Sequence, residues 1–122
     1  MDDAAGHLAE DRDTALALVA DLDRDMAAIA ESTAESPDDE HDAEGSTVGY
    51  ERARVSALLD QARRRVAELS DALERVAHGV FGTCERCGGA ISEARLEALP
   101  AARLCLRCAQ ASGRRAPVRS PQ

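Results

Sequence analysis

The stretch "VSALLDQARRRVAELSDALERVAHGV", Val55 to Val80, decides the fold. Its apolar residues Val55, Leu59, Ala62, Val66, Leu69, Leu73, Val76 and Val80 lie 4, 3, 4, 3, 4, 3 and 4 positions apart. That alternation is a heptad seam, one narrow apolar stripe that a helix buries against another helix. It predicts a helix from about Val48 to His78, with Gly79 as a left-handed C-terminal stop.

A partner helix is legible upstream. Ala15, Val19, Leu22, Met26 and Ile29 repeat the 4, 3, 4, 3 spacing, and Leu8 sits one heptad before Ala15. Asp13, Asp21, Asp23, Asp25 and Glu31 fall outside that seam. The pattern stops in "ESTAESPDDEHDAEGST", residues 31–47, where Pro37, Gly45 and clustered Ser, Thr and Asp break a helix and start the next. Each helix would hold about 28–31 residues and reach about 42–46 Å at 1.5 Å per residue. The fold class expected is therefore mostly α: a long antiparallel helical hairpin, or coiled coil, over residues 1–78 with an acidic tip loop at about 36–47. Arg52, Arg54, Arg63, Arg64, Arg65 and Arg75 would face the acidic first helix in flanking ion pairs, each worth a few tenths of a kcal/mol.

Composition narrows the class. The 122 residues include no Trp, one Phe (Phe81) and one Tyr (Tyr50), too few bulky side chains for a large globular core. Lys and Asn are absent and every cationic side chain is Arg, a bias of GC-rich bacterial genomes. The net charge of −8 divides unevenly. Residues 1–47 carry fifteen acidic residues against Arg12 and Arg24, a balance of −13, and residues 48–122 carry eight against thirteen Arg, a balance of +5. Such a chain lacks the basic surplus of a nucleic-acid binder and suits a partner bearing both basic and acidic surfaces. The acidic start "MDDAAGHLAEDRD" has no basic n-region of a signal peptide, and no apolar run nears the roughly 18 residues of a membrane span. A cytoplasmic protein with reduced thiols is expected.

All four cysteines lie in "FGTCERCGGAISEARLEALPAARLCLRCAQ", Phe81 to Gln110. They form two Cys-x-x-Cys pairs, Cys84/Cys87 and Cys105/Cys108, separated by seventeen residues. Two intervening residues let a tight turn present both sulfurs to one ion, and Gly88 and Gly89 follow where positive φ is often needed. Four thiolates fill the tetrahedral shell of one Zn²⁺ and leave no position for water or substrate, so the site reads as structural. Arg86, Arg95, Arg103 and Arg107 are near enough in sequence to offset its formal charge of about −2. The segment between the pairs should fold back as a short strand or turn plus a short helix, with Ile91, Leu96, Leu99 and Leu104 as a miniature core. A redox dithiol would require a βαβ setting that is absent, and His78, six residues before Cys84, reads as a helix C-terminal residue rather than a ligand. Residues 79–110 thus form a zinc module, and the Arg-, Pro- and Gly-containing segment 111–122 reads as a disordered basic tail.

With these residues in view, the stretch "RVAHGVFGTCERCGGAISEARLEALPAARLCLRCAQ" resembles the C4-type zinc finger of the DksA/TraR family. The likeness rests on the G-x-[FY]-G-x-C-x-x-C-G entry, the following Ile91, the segment Arg95, Leu96, Ala98 and Pro100, and the closing Cys-x-x-Cys. It implies a non-enzymatic transcription regulator that binds RNA polymerase. In such proteins the hairpin enters the secondary channel and acidic tip residues approach the catalytic Mg²⁺ region. Here the tip is "SPDDEHDAEGST", residues 36–47, and the resemblance places Asp38, Asp39, Asp42 and Glu44 at the partner contact. The family's D-x-x-D-x-A tip pattern is met incompletely. Asp39 and Asp42 have the spacing with Glu44 in the Ala place, while a frame starting at Asp38 puts His41 at the second Asp and Ala43 in the Ala place. Relatives that respond to ppGpp use lysines among their contacts, and this chain contains none, so that contact is not carried over. The expected protein is monomeric, holds one structural zinc, and makes no sequence-specific DNA or membrane contact. Two other readings stay open, a DNA-binding zinc finger and a zinc-bearing protein-interaction module without polymerase binding.

Overall fold

The computed structural model describes residues 2–35 and 42–119, with side-chain surroundings for 4–32 and 47–112. Among the described residues four helices follow one another: α1 (Asp2–Glu35), α2 (Asp42–Ala77), α3 (Glu93–Ala98) and α4 (Leu106–Arg119). One isolated antiparallel bridge joins Thr83 to Ala90. Two compact units are distinguished, Glu10–Ala67 on one hand, and the residues up to Ala9 with those from Glu68 onward on the other. Long paired helices followed by a small cysteine-rich module are the fold class the heptads called for. Among the described residues no helix is long and apolar enough to cross a membrane.

Within Glu10–Ala67 the seam packs as its spacing requires. Leu22, Val55, Leu59 and Ala62 form a buried cluster, with Val19, Met26 and Ile29 partly buried against it. Ala15 and Ala62 are small enough for the two helices to approach closely, and both are buried. A flanking ion pair between the helices runs from Arg63 Nη2 to Asp23 Oδ1 at 3.1 Å, and Arg24 pairs with Asp21 within α1. Both pairs are exposed and add little to stability.

The seam continues into the second unit. Leu69 and Ala72 are fully buried there, Leu8 is buried, and Leu73 and Val76 are half-buried. Val80 departs from the expectation and is exposed, because the helix has ended before it. The stop itself is a Schellman motif. Val80 N–H donates to Arg75 O at 3.0 Å and Gly79 N–H to Val76 O at 3.0 Å, with Gly79 at φ +73°. Those two bonds satisfy carbonyls that the last turn leaves open, and the left-handed residue between them favours glycine.

Two boundaries and one core position differ from the sequence reading. Helix α2 begins at Asp42, inside the loop expected over 36–47. Acidic residue types such as Asp42 and Glu44 suit the positive end of a helix dipole, an effect that outweighs the breaker reading of Gly45. Helix α4 carries its backbone to Arg119, through most of the segment read as a disordered tail. Ala109, Gln110 and Ala111 are strong helix formers that extend the turn begun after Cys105. In the miniature core, Leu99 is 48 % exposed, while Ile91 and Pro100 are buried and Leu96 and Leu104 half-buried. Leu99 is the C-cap of α3 (φ −132°, ψ 81°), so its side chain leaves the helix face and Pro100 takes the inner place.

Replacing Leu69, which has no exposed surface, by Ala should destabilise the protein by about 2–5 kcal/mol. The same change at the exposed Leu58 should cost below about 1 kcal/mol, and urea titration followed by circular dichroism measures both.

Candidate metal centre

The first knuckle is built by backbone hydrogen bonds from Gly82 to Ile91. Cys84 N–H donates to Gly89 O at 2.8 Å and Ile91 N–H to Gly82 O at 2.8 Å, closing a two-rung antiparallel clasp around Thr83 and Ala90. Gly88 N–H turns back to Cys84 O at 2.9 Å, with Gly88 at φ +77°. That left-handed turn brings two backbone donors onto sulfur: Cys87 N–H to Cys84 Sγ at 3.5 Å and Gly89 N–H to Cys87 Sγ at 3.4 Å.

The second pair sits at the start of α4. Cys105 immediately precedes the helix, and Ala109 N–H donates to Cys105 O at 2.9 Å. One turn later Cys108 shares its face. Between the pairs, Ser92 caps α3 by accepting from Arg95 N–H at 3.1 Å, and Arg95 Nε holds Leu104 O at 3.0 Å. Glu85 N–H donates to Arg103 O at 2.8 Å, which ties the first knuckle to the chain entering the second.

All four sulfurs, of Cys84, Cys87, Cys105 and Cys108, fall within 4.8 Å of one another. A tetrahedral ion with sulfur at about 2.3 Å requires sulfur–sulfur edges of about 3.8 Å. Cys87 Sγ and Cys105 Sγ are 3.9 Å apart, and the set as a whole needs only small closure to meet that shell. The donor set therefore fits zinc, and four sulfurs complete it. Cys84 is buried, Cys87 is exposed, and Cys105 and Cys108 are half-buried, so the ion would sit near the surface with its shell closed. His78 is not part of the group. Its Nδ1 lies 2.8 Å from Glu74 O, at the end of α2, where the sequence placed it.

Charge in the cluster is unevenly held by the protein alone. The Cys87 backbone N–H, aided by that of Cys105, lowers the Cys84 thiol to about 6. The backbone N–H of Cys108 lowers Cys105, while hydrogen bonding with Cys105 pushes Cys108 up to about 12. Four thiolates so close repel one another, and a dication supplies the positive charge that lets all four ionise together.

The arginines expected to offset this charge are largely engaged elsewhere. Arg95 holds Leu104 O, Arg86 Nη1 donates to Ser112 Oγ at 3.2 Å, and Arg103 binds two carboxylates. Arg103 Nη2 meets Asp71 Oδ1 at 2.9 Å, and its Nη1 meets Glu85 Oε2 at 2.7 Å. The Arg103 guanidinium, followed by its charge and by Arg75, holds the Glu85 carboxyl below its ordinary range. Arg75 departs furthest from expectation. Among the described residues its ion-pair partner is Glu85, not an acidic residue of the first helix. Its side chain is buried, with Nη1 on Glu85 Oε2 at 3.0 Å and Nη2 on Val80 O at 3.1 Å and Thr83 O at 3.3 Å. Only its position on the flank of the seam, one turn from the stop, marked it in the sequence.

Of the tip residues named in the sequence, Asp38 and Asp39 lie outside the described residues. Asp42 and Glu44 fall in the first turn of α2, where the backbone alone is described.

Helical hairpin and closed four-cysteine cluster together define a small C4 zinc-finger protein with one structural zinc. Residues 79–112 match the family described as the prokaryotic dksA/traR C4-type zinc finger. A protein of Aquifex aeolicus (strain VF5), described only as uncharacterized, is 49 % identical over 43 residues. That match covers 35 % of this chain and 30 % of the Aquifex protein's length. The structure of transcription factor DksA2 from Pseudomonas aeruginosa superposes with a TM-score of 0.54 over 90 % of this chain and 85 % of that one, at 23 % identity. That likeness shows the fold.

Metal analysis of the purified protein should return one zinc per chain, and Cys84→Ser should lose it while keeping most helical signal. Zinc uptake at pH 7 should release protons, Cys108 contributing one since its thiol is held up near 12. Zinc affinity should accordingly fall as pH falls, which competition with a chromophoric chelator measures.

Proposed function

We propose that this protein is a non-enzymatic transcription regulator that acts by binding RNA polymerase. The observation that carries the reading is the combination of a DksA/TraR finger at 79–112 with a helical hairpin whose fold matches a structure titled as a transcription factor over most of the chain. In this reading Cys84, Cys87, Cys105 and Cys108 hold the zinc, and the finger braces the hairpin rather than performing chemistry. A filled tetrahedral shell gives the ion no place to activate water. The hairpin tip enters the secondary channel of the polymerase, and Asp38, Asp39, Asp42 and Glu44 bring negative charge toward its metal-dependent centre. The −13 balance of residues 1–47 supports that role, since such a surface is repelled by DNA phosphates and attracted to basic walls. The protein works in the cytoplasm, as a monomer, without direct duplex binding.

Pull-down with purified bacterial RNA polymerase tests the partner, and in vitro transcription tests the effect. Polymerase should be retained, and the combined variant Asp39→Ala, Asp42→Ala, Glu44→Ala should stay bound yet lose the effect on transcription. Failure to bind polymerase, or full activity in the triple variant, would overturn the mechanism. A salt-sensitive shift of duplex DNA at physiological ionic strength would favour the DNA-binding alternative.

A further inference from the structure

Arg75 is buried, with 6 % of its surface exposed, although it lies outside the apolar seam itself. Burying a guanidinium is costly unless its donors are met. The acceptors come from the loop that leads into the metal site. In the antiparallel clasp, Gly82 O and Cys84 N–H point toward residues 89–91, so the intervening Thr83 presents its polar atoms to the opposite side. Thr83 N–H there donates to Val80 O at 3.2 Å, and Thr83 O accepts from Arg75 Nη2. Val80 O, freed by the Schellman turn, accepts from the same nitrogen, and Glu85 beside Cys84 takes Nη1. Arg75 therefore grips residues 80, 83 and 85, on both sides of the first cysteine.

A second bridge runs parallel to it. Arg103, two residues before Cys105, joins the same Glu85 oxygen to Asp71, one turn before Arg75. The chain Asp71–Arg103–Glu85–Arg75 thus closes a ring between the last turns of α2 and the two knuckles. The buried guanidinium is left one bond short, since Arg75 Nε has no acceptor among the described residues.

We infer that Arg75 is a positioning residue for the zinc site, and that zinc binding and ordering of the last turns of α2 are one coupled event. With the knuckle formed, Arg75 has three acceptors. With the knuckle opened, it is a buried cation that keeps Val80 O and loses Thr83 O and Glu85, so the turn carrying it must loosen to reach water. Coupling of this kind is reciprocal: whatever Arg75 adds to zinc affinity, zinc adds to the order around Arg75.

The full-length protein is used throughout, with zinc as the ligand. Arg75→Met should weaken zinc binding by about tenfold or more, as loss of outer-shell support does elsewhere. Arg75→Lys keeps the charge but cannot fork across a carboxylate and two carbonyls, so it should recover little. Leu59→Ala, remote from the knuckle, serves as the control for general loosening and should leave zinc affinity within about twofold. Hydrogen exchange supplies the reverse measurement: chelation should lower protection at residues 71–77 and leave residues 55–62 unchanged. Glu85→Gln combined with Arg75→Met should cost less zinc affinity than the two single losses together. Unchanged zinc affinity in Arg75→Met, or unchanged protection at 71–77 after chelation, would overturn the coupling.

Discussion

Four negative sulfurs held within 4.8 Å of one another are the constraint on which the small module depends. Left to themselves they cannot all ionise, and the protein offers them mainly backbone N–H groups, at 3.4–3.5 Å in the first knuckle. A dication removes the repulsion and converts it into closure of a loop of seventeen intervening residues. Apolar burial alone is insufficient there. Between Gly79 and Gln110 the buried residues are Cys84, Ile91 and Pro100, far fewer than a fold of that length needs. Once Cys84 is fixed, Thr83 and Glu85 are fixed beside it, and they are what Arg75 and Arg103 hold.

The hairpin is stabilised by a different principle. Its seam of Leu, Val, Met and Ala buries a stripe along two long helices, and the cluster around Leu22, Val55, Leu59 and Ala62 is metal-independent in its chemistry. The exposed ion pairs of this unit, such as Arg63–Asp23, guide orientation more than they stabilise. Helix α2 runs through both regimes. Its N-terminal two-thirds answers to the partner helix, and its last turns answer to the finger through Asp71 and Arg75.

Much of this was legible in the residue order because both organising features are periodic or spaced. The 4, 3 repeat named Leu8, Ala15, Leu22, Val55, Leu59, Ala62 and Leu69, and each is buried. The doubled Cys-x-x-Cys named the four sulfurs that converge. What escaped depends on backbone direction, which side-chain identity does not encode. Arg75 reads as one more surface arginine until the Schellman turn and the clasp aim two carbonyls at it. Leu99 and Pro100 exchange places for the same reason: both are apolar, and only the unwinding of α3 at its C-cap decides which one turns inward. Helix α2 starts before Gly45 rather than after it, because acidic residue types in its first turn favour a helix start more than one glycine opposes it.

A closed thiolate shell also bears on where the protein's activity can lie. An ion with four sulfur ligands has no open position, so its contribution is to geometry rather than to reaction. Two charged regions of the sequence lie apart from that ligand set. One is acidic, within residues 1–47, and the other is the Arg-rich remainder, where Arg75, Arg95 and Arg103 are already engaged in holding the finger together. Internal use of those arginines lowers the positive charge offered to a partner, and it leaves the acidic half as the less neutralised of the two. The ring that joins Asp71, Arg103, Glu85 and Arg75 therefore spends its charge on the fold, and the net negative charge of the chain is concentrated in residues 1–47.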